Sequence, residues 1–452
     1  MPQKLIDGYY LPVEPEYLDT VPQVVENTSG KAEIKVPRML PNQISAILTA
    51  LRDSRRLLDA KKENEIKGLF ETHLEMWLNP QYEPRRLAEE ILPVTLGYSP
   101  PMVITILDDL FCRLKEDLGS LTRSCKRNEI LVTAYPDIPG PQVVATLQAL
   151  FNGMGVFCKA PLQEPVFTAL YAASLRDIDE ILAKCVAAMP WDGGASENQI
   201  LEARLYGDLT EKDMIVVFGS PEVATQIDTK KNPHTPLISY TRGVGVIIIG
   251  KDNLSKQIIQ PTLQSCAKAI SMYNGNACFS PQAIIVEGKG EVAPQEFAGL
   301  LSQTLAKMAH DELPVGDFSG DTYARFAQAH RTYRLQTIRG PINYYAVKDN
   351  TERPIGGVIY IKNGEFMLPK SGERVVTVIP IKDIADASSM LVSYREQIHT
   401  IGMGLEGASY ERNKAIFENI GARVSTIEDM LSLSFRDYQF TSHEHELQAT
   451  IT

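Results

Sequence analysis

Residues 130–159 read ILVTAYPDIPGPQVVATLQALFNGMGVFCK, and this stretch decides the fold. It opens on five residues rich in β-branched side chains (130–134), too few for a helix and suited to a buried strand. Pro136, Pro139 and Gly140 break the run. Residues 142–151 then read as a helix, and a second apolar run at 155–158 ends on Lys159. Strand, helix and strand at this spacing predict a βαβ unit in a parallel sheet. Working outward, strands are predicted at 184–188, 214–218 and 237–240, with helices at 166–173, 197–204 and 222–226. A second α/β segment starts at the strand 244–249 and runs to about 420. It has helices at 260–272 and 294–309 and strands at 357–361 and 375–379. On the N-terminal side, 43–124 reads as helical, with Ile44, Ile47, Leu48 and Leu51 on one face and Phe70, Leu74, Trp77 and Leu78 on another. Residues 1–40 are rich in Pro and Glu with little period, and are expected to wrap another part of the protein.

The 452 residues leave room for two or three domains. With 56 acidic against 45 basic side chains, the net charge of −11 disfavours sequence-independent binding of nucleic acid, which needs a basic surface. No apolar run approaches the ~20 residues of a membrane span. The start, MPQKLIDGYYLPVEPE, has no apolar signal core. Six cysteines (112, 125, 158, 185, 266 and 278) lie scattered without C-x-x-C spacing, so free thiols in a reducing cytoplasm are expected. The seven histidines are dispersed apart from His443 and His445, and no metal site is expected.

Two further stretches carry chemistry. Asn274-Gly275-Asn276-Ala277-Cys278-Phe279, followed by Ser280-Pro281-Gln282 and the apolar run 283–286, reads as a glycine turn presenting one cysteine at the head of a buried strand. The thiol is either a nucleophile served by backbone N–H groups of its own turn or a small buried hydrophobe. Phe218-Gly219-Ser220-Pro221-Glu222-Val223 is a strand, a glycine turn and a helix start. Such a junction either presents donors to a pyrophosphate or simply caps its helix. Lys159 has the same two readings, as a ligand contact or a solvated strand end. Cys158 and Cys266 are expected in the core.

In order and separation these stretches resemble the aldehyde dehydrogenase superfamily, and more closely its acyl-CoA reductase branch. The resemblance covers essentially the whole chain, from GYSPPMV (97–103) through IPGPQVVATLQALFNGMGVFCKAP, VVFGSPEVATQI and NGNACFSPQAIIVE to ERVVTVIPIKDI, HTIGM and ENIGARV. It implies an α/β fold of the aldehyde dehydrogenase type: an N-terminal helical region (1–125) packing on a Rossmann-like cofactor domain (126–245), an α/β catalytic domain (246–424), and a C-terminal extension (425–452) serving oligomerisation, with a strand at 435–441. It further implies reduction of an acyl thioester, on coenzyme A or acyl carrier protein, to an aldehyde, with a fatty or polyketide-like acyl group. By the same resemblance Cys278 is the nucleophile, Lys159 meets the adenosine ribose, Gly219 and Ser220 the pyrophosphate, and Glu373 the nicotinamide ribose. Glu373 is equally readable as a solvent-facing residue ahead of a strand. Asn276 is a possible support for the nucleophile. Arg334 and Arg339 are either phosphate ligands for a coenzyme A carrier or surface charge. A homo-oligomer, and a partner enzyme of a biosynthetic assembly, are the implied associations.

Three departures from the oxidative relatives matter. Their general-base glutamate has no counterpart in Ser239-Tyr240-Thr241-Arg242-Gly243-Val244-Gly245, so a thioester would resist water and await hydride or a thiol. Leu162 stands where NAD-preferring relatives often place a glutamate, which leaves NADPH or NADH open and leans toward NADPH. Asp137 occupies the place of an asparagine that donates to the oxyanion. It is either protonated in a dry site, turned away so that the Cys278 backbone N–H with Asn274 or Asn276 serves instead, or disabling. Two other functions therefore stand beside the reductase: an acylating dehydrogenase working in reverse, and a degenerate binding or assembly subunit.

Overall fold

The computed structural model describes all residues except 1–4, 14–17, 124–127, 241–242, 318–319, 371–372 and 437–452. Cys125, His443, His445 and most of the strand predicted at 435–441 lie outside the described residues. The chain divides into two compact units. One comprises Met1–Gly97, Val103–Thr241 and Leu433–Thr452, the other Tyr98–Met102 and Arg242–Ser432.

In the first unit, β1 (Leu5–Asp7), β2 (Asp19–Asn27) and β3 (Gly30–Arg38) form a small sheet in the order β1-β3-β2. This corrects the expectation of an N-terminal region without regular structure ahead of helices. The prolines that disguise these strands, Pro22 and Pro37, lie in a hairpin where β2 is an edge strand, and edges tolerate a missing N–H. Helices α1 (Pro41–Arg55), α2 (Glu63–Leu78), α3 (Glu83–Leu96) and α4 (Pro100–Glu116) follow. Ile44, Ile47, Leu48 and Leu51 are buried on α1 as their spacing predicts.

The main sheet of this unit uses β4 (Ile130–Ala134), β5 (Gly155–Ala160), β6 (Val186–Pro190), β7 (Met214–Phe218) and β8 (Leu237–Tyr240), all parallel, in the order β6-β5-β4-β7-β8. The connections run through α5 (Pro141–Phe151), α6 (Val166–Ser174) with α7 (Glu180–Lys184), α8 (Gln199–Gly207) and α9 (Pro221–Lys230). That is the Rossmann order, with its switch point between β4 and β7. Every residue of β4, β6 and β7 is buried, which explains why these strands read as unbroken apolar runs.

The second unit is built on β9 (Val244–Ile249), β10 (Pro281–Glu287), β11 (Ile342–Lys348), β12 (Pro354–Ile361), β13 (Val375–Ile381), β14 (Ile398–Gly404) and β15 (Arg423–Thr426), in the order β11-β12-β13-β10-β9-β14-β15. Only β11 is antiparallel to its neighbour among the described residues. Helices α10 (Ile259–Ser271), α11 (Pro294–Asp311), α12 (Gly320–Arg339), α13 (Ile384–Val392) and α14 (Gly407–Glu418) flank it. The registers of β10 and β14 against β9 both slip beside Gly245, between Pro281 and Ala283 on one side and Ile398 and Thr400 on the other. The cysteine turn enters the sheet at that slip. Among the described residues no helix is long and apolar enough to cross a membrane.

Candidate active site

The first unit carries a cavity of about 310 Å³ at the carboxyl ends of β4, β5 and β7, lined among others by Ala134, Lys159, Gly193, Glu202, Gly219 and Ser220. Three sequence-predicted residues, Lys159, Gly219 and Ser220, therefore meet in one place. The Lys159 ammonium lies over the Trp191 ring, 5.7 Å from its centroid. Burial lowers its pKa, while the charges of Glu202 and Asp192 pull it back up. Ser220 is the N-cap of α9, its Oγ accepting from the Val223 N–H at 3.4 Å, with Pro221 in the first turn. Its hydroxyl oxygen is thus engaged by its own helix, and with Pro221 lacking an N–H and those of Val223 and Ala224 bonded to Ser220, the Glu222 N–H is the first-turn donor left at that end.

Sequence reading missed Glu202. It looks like an ordinary exposed helix glutamate, yet it is buried in the cavity wall. Its Oε1 accepts from Trp191 Nε1 at 3.1 Å and the Gly194 N–H at 3.4 Å, and its Oε2 from Lys230 Nζ at 2.5 Å. The glycine pair after Trp191 was the available signal. A Cβ on Gly193 would stand 3.3 Å from Lys159 Nζ and fill the space beside the ammonium. The open wall, the ammonium and a helix N-terminus fit a dinucleotide. Leu162 is not part of the lining.

Asp137 lies in the same unit, on the loop from β4 to α5, and is exposed. It does not occupy the dry pocket that a protonated donor requires. Its charge adds to burial in raising the pKa of Glu164, which reaches about 7 although the Phe167 and Val166 N–H groups on its carboxylate oppose the shift.

In the second unit α10 runs into a short 3₁₀ turn, Met272–Gly275, and Cys278 follows, partly buried. Tyr273, Asn274 and Gly275 all have positive φ (55°, 52° and 75°), so the chain reverses sharply before the thiol. Gly245 makes room for it. A Cβ there would come within 2.4 Å of the Phe279 carbonyl oxygen, and the Gly245 N–H donates to the Ser280 oxygen at 2.9 Å. Burial pushes the Cys278 thiol up to about 11, although the backbone N–H groups of Cys278 and Phe279 favour the thiolate. Asn276 sits on the same turn and is exposed. Cys158 and Cys266 are buried.

Glu373 is buried rather than solvent-facing. The Arg374 backbone N–H donates to the Asn274 carbonyl at 3.1 Å and its Nε to Asn274 Oδ1 at 3.2 Å. Nothing in the Glu-Arg pair as a sequence signals an inward-turned arginine. His399, also unassigned by sequence reading, bonds to Thr400 Oγ1 through Nδ1 at 2.8 Å, and its ring centre is 6.3 Å from that of Phe279. Arg334 is exposed on α12, and the side chain of Arg339 is outside the described residues.

A Rossmann-ordered sheet with a dinucleotide cavity, and a second α/β unit presenting a thiol on a strained turn, define an oxidoreductase of aldehyde dehydrogenase fold. Solved structures share that fold over nearly the whole chain. Aldehyde dehydrogenase 21 from Physcomitrella patens, in complex with the reaction product succinate, has a TM-score of 0.71 at 13% identity, covering 96% of this chain and 92% of that one. A salicylaldehyde dehydrogenase from Pseudomonas putida G7 gives 0.69 at 11%, covering 95% and 91%. NADP-dependent glyceraldehyde-3-phosphate dehydrogenase from Bacillus halodurans C-125, complexed with NADP, gives 0.60 at 11%, covering 90% and 87%. No curated protein matches the chain. The profile of the acyl-CoA reductase (LuxC) family matches residues 130–430, and the chain belongs to that family.

Proposed function

We propose that the protein reduces an acyl thioester, carried by coenzyme A or an acyl carrier protein, to an aldehyde through an S-acyl intermediate on Cys278. The observation that carries this reading is the thiol itself: partly buried, on a strained turn, in a chain of an acyl-CoA reductase family. The Cys278 thiolate forms a bond to the carbonyl carbon and the C=O electron pair moves to oxygen. Collapse restores the carbonyl and breaks the bond to the carrier sulfur, which leaves and takes up the proton lost by Cys278. A reduced nicotinamide, when bound, supplies the hydride that reduces the acyl group. The resulting oxyanion on the Cys278 adduct then collapses, returning the thiolate and freeing the aldehyde.

Lys159 would contact the adenosine ribose, Gly219 and Ser220 the pyrophosphate, and Glu373 the nicotinamide ribose. The cofactor proposed is NADPH or NADH, with the lean toward NADPH resting on Leu162 in place of a glutamate, since Lys159 and Lys230 are balanced by Glu202 and Asp192. The acyl group proposed is fatty or polyketide-like, and the working form a homo-oligomer. The acylating reaction in reverse uses the same residues.

The test is to incubate the protein with a medium-chain acyl-CoA, without nicotinamide, and weigh it intact. A mass gain of one acyl group that is absent in Cys278→Ala is the expected result. No adduct in folded protein, with either carrier, refutes the reading and leaves the degenerate binding subunit.

A further inference from the structure

Acyl transfer at a thiol needs donors for the oxyanion, and removing one typically costs ~10²–10³ in rate. An exposed aspartate at 137 is only an acceptor when ionised. The turn that carries Cys278 holds a better candidate. Of the four non-glycine residues with positive φ among the described residues, Asn274 and Arg374 bond to each other and Tyr273 directly precedes Asn274. Backbone of this kind costs of order 1–3 kcal/mol per residue and persists only where its surroundings enforce it. Here Arg374 enforces it. Its backbone N–H and its Nε both bond to Asn274, while its two terminal nitrogens donate to the carbonyls of Leu313 (2.8 Å) and Pro314 (3.1 Å). The Pro314 oxygen also accepts from Ser99 Oγ at 2.7 Å.

Arg374 is 3% exposed and forms no ion pair among the described residues. Burial alone pushes its pKa down to about 9. A buried cation without a counter-ion is expensive, so some gain elsewhere must offset it. Its direct effect is on the Asn274 amide. With Oδ1 receiving the guanidinium, Nδ2 is the end left to donate. Nδ2 has no partner among the described residues and is not fully enclosed. A charge-assisted bond at the oxygen of an amide also makes its N–H groups stronger donors.

We propose that Asn274 is the side-chain oxyanion donor of this enzyme, taking the part that Asp137 cannot, and that Arg374 is its positioning residue. The inference rests on acylation of Cys278 as proposed above. Two reactions of the same sulfur separate the roles: acyl transfer from a medium-chain acyl-CoA, which builds an oxyanion, and alkylation by iodoacetamide, which does not. Asn274→Gly removes the amide while tolerating the left-handed backbone. It should slow acylation ~100-fold and leave alkylation of Cys278 within about threefold of wild type. Arg374→Lys keeps the charge but not the fork, and should slow acylation ~10-fold with alkylation again little changed. Because Arg374 acts through Asn274, the double variant should be no slower than Asn274→Gly alone.

Unchanged acylation in Asn274→Gly overturns the proposal. So do parallel losses in both reactions, which would mark a purely structural role, and additive losses in the double variant. A wild-type protein that is alkylated but never acylated at Cys278 overturns the parent reading, and this inference with it.

Discussion

Gly245→Ala is the substitution for which the structure gives the most direct consequence. The added Cβ would stand 2.4 Å from the Phe279 carbonyl oxygen and 3.0 Å from the Ser280 carbonyl carbon. Both are backbone atoms, so no side chain can rotate away. An ordinary carbon–oxygen contact lies near ~3.4 Å, which requires the turn to retreat by roughly 1 Å. The sulfur sits one residue before Phe279 and should move with it. A misplacement of about 1 Å at a reacting atom costs ~10²-fold. Overpacking of this kind also destabilises by about 1–3 kcal/mol. Gly243→Ala is the control, since a Cβ there meets nothing within 4 Å. Acylation of Cys278 would be followed by intact mass over time, with nucleotide binding to the cavity of the other unit, read by Trp191 fluorescence, confirming that the variant is folded. Acylation of Gly245→Ala within about threefold of wild type would refute the reasoning. It would mean that the turn is not seated against β9.

Two titrations follow from buried acids. With burial holding the Cys278 thiol near 11, the thiolate fraction, and with it iodoacetamide alkylation, should rise about tenfold per pH unit from pH 7 to 10 without levelling. Peptide-resolved mass spectrometry reads this, and a plateau near pH 8 would contradict it. Burial, assisted by Asp137, holds Glu164 near 7, above the ordinary carboxylate value of 4.5 expected when unfolded. The folded state therefore keeps its proton longer than the unfolded state. Stability is fully present below pH 4.5 and declines by about 3 kcal/mol as pH rises through 7. Glu164→Gln, which still accepts from the α6 N–H groups, should match wild type near pH 4.5 and exceed it at pH 8 in urea unfolding. Equal stability at both pH values would contradict the assignment.

The central strands were legible because they are buried on both faces. The predicted runs at 130–134, 214–218 and 244–249 coincide with β4, β7 and β9. The strand predicted at 184–188 is displaced to Val186–Pro190, because Lys184 ends the short helix α7, capped by Asp179. Partly buried strands were less legible. β2, β3 and β15 went unpredicted: they are only partly buried, and the prolines and charges of β2 and β3 conceal the alternation. The same divide runs through the site. Cys278, Gly219, Ser220 and Lys159 lie on turns and strand ends whose glycines announce them. Glu202 and Arg374 owe their importance to being folded inward, against Lys159 and Asn274, which local pattern does not encode.

The basicity of Cys278 has a consequence for direction. On the proposed chemistry the tetrahedral adduct lies between two sulfurs, one near 11 and a carrier thiol of ordinary value, ~8.5. The less basic thiol leaves faster. With a sensitivity of about 0.4–0.5 per pKa unit, as in thiol exchange, the gap favours expulsion of the carrier roughly tenfold. The cost falls on the first step, since only about one Cys278 in ~10³ to 10⁴ is ionised near neutrality. Donors that favour the thiolate, the backbone N–H groups of Cys278 and Phe279, are therefore worth most at attack and at the return of the thiolate. Water would be assisted by oxyanion donors as hydride is, since its attack builds the same charge. Its attack needs a base to remove a proton, and residues 239–245 supply no carboxylate for that. Hydride brings its electron pair with it and requires only that the oxyanion be held. On the proposed chemistry it is the lack of a base in residues 239–245, not the basicity of the thiol, that favours reduction of the acyl group over hydrolysis.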